Sequence, residues 1–164
     1  MSKLVIIRGN SGSGKTTAAK ALQHKLGRNI MLISQDVVRR DMLNVKDGID
    51  TLALPLLKEL LTYGKNNCEI VVLEGILNST WYHALFEFAM ELFDNSICAY
   101  YYNLPFEETL LRHQTKSNKD DFGENDMKKW WNENDLINII PEKMISIDMS
   151  LIDTVEMIYK DVMK

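Results

Sequence analysis

Several things are scarce in this chain, and each scarcity narrows what it can be. Cysteine occurs twice and proline three times in 164 residues. Cys68 and Cys98 stand far apart beside apolar segments, which excludes a disulfide-knit scaffold; both read as reduced, buried thiols. The three histidines, His24, His83 and His113, have no ligand-like spacing with the cysteines, so no transition-metal centre is expected. No sign of charge dominates: 19 Lys+Arg against 23 Asp+Glu leave a net charge of −4. A general electrostatic grip on duplex nucleic acid is thereby excluded, although a local basic site is not. Long apolar runs are missing too. The N-terminus offers Lys3 and then only Leu4-Val5-Ile6-Ile7 before Arg8, too short for a signal peptide or a membrane span, so a cytoplasmic protein without a membrane partner is expected. Repeats and low-complexity linkers are absent, and the length suits a single domain, residues 1–164, with a sizeable core. Nothing in the sequence speaks to oligomeric state.

What is present is an alternation of short apolar runs with amphipathic segments of helical length. Residues 4–7, 30–33, 70–73, 97–102 and 144–147 read as strands. Residues 15–26, 36–43, 49–63, 81–93, 105–115, 127–134 and 150–163 read as helices. This alternation predicts an α/β fold of three layers, α/β/α, around a five-stranded parallel sheet. Ser150, with Asp153 three residues on, marks the start of the last helix, and Gly64 marks the end of the third.

The strongest chemical signal directly follows the first strand. Gly9-Asn10-Ser11-Gly12-Ser13-Gly14-Lys15-Thr16 fits G-x-x-x-x-G-K-[ST], the P-loop pattern. Its glycines let the backbone form a nest of N–H groups aimed at phosphate oxygens, at the positive end of the helix that follows. Lys15 then reaches the β- and γ-phosphates, the Thr16 hydroxyl holds Mg2+, and Thr17 completes the nucleotide-binding set. ATP and Mg2+ are the expected cofactors.

Three further segments end near the same sheet edge, where open α/β sheets bind ligands. Asp36, followed by Arg39 and Arg40, offers a base for an acceptor hydroxyl and a guanidinium for its anionic groups. The competing structural reading makes Asp36 a helix N-cap. Glu74 closes the apolar strand Ile70-Val71-Val72-Leu73, in the manner of a Walker-B acid that acts on Mg2+ through water or holds the acceptor. Gly75 permits close approach there, and Tyr82 is a candidate wall of the acceptor pocket. Arg112, late in the helix after Pro105, can swing over the nucleotide phosphates. His113 beside it reads as packing or solvent-exposed. The polar stretch 116–124 is a candidate lid, within a lid region of about 112–134, as against an ordinary solvated loop. Trp130 and Trp131 adjoin on a helix, so at least one is expected to face the core at the lid base.

Taken together, the P-loop, the Asp36-Val37-Val38-Arg39 segment, the acid-ended strand and the lid strings Leu111-Arg112-His113 and Phe122-Gly123-Glu124 resemble small P-loop kinases of the nucleoside-monophosphate-kinase-like group. The resemblance covers nearly the whole chain and points to the polynucleotide-kinase, zeta-toxin and chloramphenicol-phosphotransferase types, and to uncharacterised bacterial ATP-binding kinases. It implies a P-loop NTPase fold with a short helical lid. It also implies that Asp36 is the general base and Arg39 an acceptor-binding residue. The lid departs from the group's pattern, because Lys116, Lys119, Lys128 and Lys129 surround the single Arg112 where such kinases often carry several arginines. The expected activity is ATP- and Mg2+-dependent transfer of the γ-phosphoryl group to a hydroxyl of a small-molecule or nucleoside-like acceptor. Catalysis would rest on Lys15, Asp36, Arg39 and Arg112, with Glu74 and Tyr82 beside Asp36 and Arg39 in the substrate set. A polynucleotide 5′-hydroxyl acceptor is the alternative, for which Arg39, Arg40 and Lys46 are the only nearby cations evident in sequence. A nucleotide-binding regulatory ATPase is the alternative of another class.

Overall fold

Aliphatic residues occupy both faces of the central strands, which is what a sheet covered on both sides requires. In the computed structural model, which describes residues 1–117 and 119–164, five strands form one parallel sheet. They are β1 (Lys3–Gly9), β2 (Ile30–Ser34), β3 (Ile70–Gly75), β4 (Ile97–Tyr102) and β5 (Glu142–Ile145), in the order β2-β3-β1-β4-β5. Successive side chains point to opposite faces. Leu4, Ile6, Val71 and Leu73 pack under helices α2 (Ala53–Asn67) and α3 (His83–Phe93), joined by Leu57, Leu61, Phe86 and Phe93. Val5, Ile7, Val72 and Tyr100 pack on the other side against α1 (Lys15–Leu26) and α6 (Leu151–Val162), through Ala18, Leu22 and Ile158. The expected three-layer architecture is the one observed. Among the described residues, no helix is long and apolar enough to cross a membrane.

Several boundaries differ from expectation, each for a local reason. Helix α2 starts at Ala53 because Asp50 takes a left-handed conformation (φ 59°) and the Thr51 hydroxyl accepts from the Ala53 N–H at 3.3 Å. Gly64 does not end that helix. It lies within it, where a Cβ would stand 2.5 Å from Val71 Cγ2, so its missing side chain lets α2 approach β3 closely. The helix after β2 is a short π-helical stretch (Val37–Met42), its widened turn closed by the Leu43 N–H on the Val38 carbonyl. Helix α5 spans Glu124–Trp130, shorter and earlier than expected. Strand β5 begins at Glu142, two residues before the apolar run that suggested it. The Ser150–Asp153 capping box forms as expected. Cys68 and Cys98 are free thiols and half-buried, less enclosed than their apolar neighbours implied.

The early start of β5 follows from Arg8, a residue the motifs passed over. Arg8 lies one residue before the P-loop and is fully buried. Its Nε and Nη2 donate to the Leu77 carbonyl at 3.1 and 3.0 Å, Nη2 to Asp135 at 2.8 Å, and Nη1 to both Glu142 oxygens at 2.8 and 3.1 Å. One guanidinium thus ties β1 to the β3–α3 connection, to the chain after α5 and to β5. Removing it leaves two carboxylates without their cation in a dry setting, a loss of about 3–5 kcal/mol. Arg8→Met is therefore expected to lower unfolding free energy by about that amount, read from urea denaturation midpoints; a change within about 0.5 kcal/mol would show the network to be structurally neutral.

Candidate active site

Helix α1 begins with its first-turn N–H groups free of any capping side chain: Gly14 stands at the cap position, and no acid occupies the first turn. Uncapped N–H groups at a helix start suit an anion. The loop before it is held from three sides. A Cβ on Gly12 (φ 81°) would stand 2.4 Å from the Thr109 carbonyl oxygen and 2.9 Å from Met127 Cε, so only glycine lets α4 (Phe106–Gln114) and α5 rest on the loop. Asn10 grips the chain after α5 twice: its amide donates to the Asn132 carbonyl, and its carbonyl oxygen accepts from the Asn132 N–H, both at 2.8 Å. Arg112 Nη1 donates to the Ser13 carbonyl at 2.8 Å, while its Nε is steadied by Glu108 at 2.9 Å. The Ser13 hydroxyl is buried and has no hydrogen-bond partner among the described residues.

Two cavities flank this loop. The larger, about 870 Å³, opens along Gly14, Thr17, Lys20, Arg112 and the start of α6 around Ser150 and Thr154. The other, about 530 Å³, is walled by Ser11, Gly12 and Lys15 of the loop, by Asp36 and Arg39 after β2, and by Trp81 and Trp130. Thr16 and Lys116 line both. Glu74, 2% exposed, ends β3 between Ile7 and Ser34 of its neighbouring strands. Burial pushes the Lys15 ammonium below the ordinary lysine range, with the charges of Glu74 and Asp36 opposing that fall. Lys116 is lowered by burial first and then by Lys15, while Glu74 and Asp36 again oppose. The two lysines therefore share one electrostatic neighbourhood with the two acids.

The residues named from sequence fall into place unevenly. Asp36 caps nothing: its backbone is helical and its side chain makes no cap bond, so the N-cap reading fails. Its exposed carboxylate instead faces Arg39 at 3.3 Å and Arg40 at 3.8 Å. Tyr82 does not line the cavity that contains Asp36. It is fully buried, and its hydroxyl donates to Asp47 at 2.6 Å and accepts from Gln35 at 2.8 Å. Burial, reinforced by Asp47, pushes that hydroxyl far above the ordinary tyrosine range, so it stays a proton donor. Its neighbour Trp81, 38% exposed, lines the cavity in its place. Neither Trp130 nor Trp131 enters the core. Trp130, 37% exposed, meets the edge of Phe122 at 5.0 Å, and Trp131 meets Phe106 at 5.3 Å. His113 is buried, stacks on Phe122, and holds the carbonyls of Lys119 and Phe122 with Nε2 at 3.1 and 2.9 Å. The sequence reading missed Asp47, Trp81 and Asn132 in the cavity wall; only the Asp47-Gly48 pair carried a local signal, that of a turn.

Residues 4–120 match the family model described as "AAA domain", and the chain belongs to that family. Its fold is that of the small P-loop kinases. The gluconokinase from Sinorhizobium meliloti 1021 aligns with TM-score 0.70 at 14% identity, covering 98% of this chain and 91% of that one. The Deinococcus radiodurans tunicamycin resistance protein gives TM-score 0.64 at 16% identity, with 99% and 96% covered. Shikimate kinase from Aquifex aeolicus vf5 gives 0.56 at 18% identity, with 98% and 96% covered. No curated protein matches the chain in sequence. These likenesses are of fold.

Lys15 is the one side-chain cation contributed by the loop, and its Nζ is held by the Asn10 carbonyl at 3.2 Å. Lys15→Ala is expected to leave the fold intact, weaken ATP binding and abolish phosphoryl transfer, as read by nucleotide titration and ATP consumption. Equal turnover in variant and parent would overturn the P-loop reading.

Proposed function

We propose that the protein is an ATP- and Mg2+-dependent kinase that phosphorylates a hydroxyl group of a small molecule. The observation that carries this reading is the meeting of two cavities at Thr16 and Lys116, one entering along the uncapped start of α1 and the other containing Asp36. A triphosphate in the first presents its γ-phosphoryl group to a hydroxyl in the second. A regulatory ATPase has no need of the second cavity.

The loop N–H groups and Lys15 bind the β- and γ-phosphates, and Arg112 lies against the loop at Ser13, ready to reach them. Thr16 and Glu74 provide the hard oxygen donors suited to Mg2+, which supplies charge neutralisation across those phosphates when bound. Asp36 takes the acceptor proton while the acceptor oxygen bonds to the γ-phosphorus and the bond from that phosphorus to the β,γ-bridging oxygen breaks. Arg39 holds the Asp36 carboxylate in place beside the acceptor. Lys116, at the junction of the cavities, places its charge on the transferring group. The segment after α4 excludes water: His113 pins two of its carbonyls, and Met127 covers Gly12.

Asp36→Asn is expected to keep Mg·ATP affinity and to lower acceptor-dependent turnover about 10²–10⁴-fold, measured by coupled ADP release. Loss of thermal stability alone would remove the base assignment. Lys116→Ala is expected to lower kcat about 10²-fold with little change in nucleotide affinity, and Lys116→Arg to restore part of it. ATP consumption indifferent to every added hydroxyl compound would favour the regulatory ATPase.

A further inference from the structure

This chain is acidic overall, with a net charge of −4, yet the wall of its acceptor cavity is rich in cations. Setting aside Lys15 and Lys116, which face the triphosphate, the cavity is lined by Arg39, Arg40, Lys46 and Lys129. None of these four lines the nucleotide cleft. The acids in the same wall are Asp36 and Asp47. Asp36 is already paired with Arg39 and Arg40. Asp47 receives hydrogen bonds from Tyr82, Gln35 and the Gly48 N–H. Lys46 and Lys129 therefore line the cavity without a carboxylate partner among the described residues, and Arg40 lies in the same wall, 5.9 Å from the Trp130 ring centroid. The other lid lysines do not join this set: Lys128 turns to Glu124 at 3.1 Å, and Lys119 is exposed outside the cavity.

A cleft lined by unpaired charge of one sign focuses its field on a ligand of the opposite sign. Resting on the kinase reading of the same site, we infer that the phosphoryl acceptor is itself a small anion: a hydroxyl compound bearing a phosphate or carboxylate group. Its charged group sits among Arg40, Lys46 and Lys129, and its hydroxyl lies at Asp36. Trp81 and Ile76 receive its carbon skeleton. The cavity holds about 530 Å³ under Phe122 and Trp130 of the segment after α4, the volume of a metabolite-sized ligand and not of a nucleic-acid strand.

The test uses the full chain with its P-loop filled by Mg2+ and the non-hydrolysable triphosphate AMPPNP, and follows tryptophan emission, since Trp81 and Trp130 line the cavity. Inorganic phosphate, malonate and a 5′-hydroxyl hexathymidylate are titrated against the parent and against a variant carrying Lys46→Gln and Lys129→Gln. Both lysines are exposed and lack described ion pairs, so the variant folds and binds AMPPNP as the parent does. Saturable binding of phosphate or malonate, weakened at least tenfold in the variant, supports the inference, and the tighter of the two assigns a phosphate ester or a carboxylate. Equal curves in parent and variant, or no saturable response to either anion, overturn it. Binding of the oligonucleotide alone overturns the small-molecule assignment. Failure to bind AMPPNP at all would instead strike the kinase reading, so the two failures are distinguishable.

Discussion

The buried guanidinium of Arg8 is the contact on which the arrangement of the site depends. It is the last side chain of β1 before the phosphate-binding loop, and its bonds reach Leu77, Asp135 and Glu142, three points distant in sequence. Two residues later, Asn10 clamps the backbone of Asn132. The start of the P-loop and the return of the chain from α5 are therefore fixed to one another by two polar links. Asp135 extends the first link to Ser79, whose N–H it accepts at 2.9 Å, next to the connection that carries Trp81. Burial lifts the Glu142 carboxyl above its ordinary range in spite of the guanidinium beside it, so desolvation is the larger influence there. A buried network of this kind is a weak source of net stability but a strong geometric constraint. Its value lies in holding the P-loop, the chain after α5 and the β3–α3 connection in one register.

The acceptor wall repeats this logic on a smaller scale. Gln35, Asp47 and Tyr82 come from three separate stretches of chain and close a hydrogen-bonded triangle beneath the cavity. Tyr82 contributes from the core side, so the Asp47 carboxylate is oriented before any ligand arrives. The π-helical stretch after β2 widens the turn that carries Arg39 and Arg40, and both reach back to Asp36. Extra width in a helix at a ligand-facing sheet edge is a recurrent feature of functional sites. Here it brings two guanidinium groups to one carboxylate, which holds that carboxylate in place.

How much of this was legible in the sequence follows from how local each signal is. The P-loop was legible because its chemistry is contiguous: glycines, lysine and threonine act at fixed offsets along one strand–loop–helix unit. The five strands were legible because burial on both faces demands unbroken aliphatic runs such as Ile70-Val71-Val72-Leu73. Strand β5 was displaced because its start is set by Glu142 meeting Arg8, a contact that no periodicity records. Tyr82 failed as a candidate wall because adjacent residues differ in direction, and only packing decides which of them, Tyr82 or Trp81, stays in the cavity. Gly64 looked like a helix end because glycine serves both as a cap and as a point of close packing, and only the position of Val71 separates the two. Because Trp130 and Trp131 adjoin, at least one of them is expected to face the core, yet the segment that bears them packs on the small polar loop instead.

The lysine-rich segment after α4 shows the same distinction between composition and placement. Among the lid cations, Arg112 occupies the last turn of α4 and rests on the Ser13 carbonyl, where the forked donors of an arginine suit the rim of a phosphate site. One turn further the helix has ended, and the Lys116 N–H bonds to the His113 carbonyl. The His113 ring then holds the carbonyls of Lys119 and Phe122, so the chain cannot carry Lys116 away from the junction of the two cavities without breaking those contacts. A lysine is a point charge on a flexible stem, poorly suited to bidentate grip but able to follow a group that moves. In the kinase proposed above, the arginine at the loop and the lysine at the junction would divide the work: one would hold the phosphates, and the other would supply charge where the phosphoryl group passes between cavities.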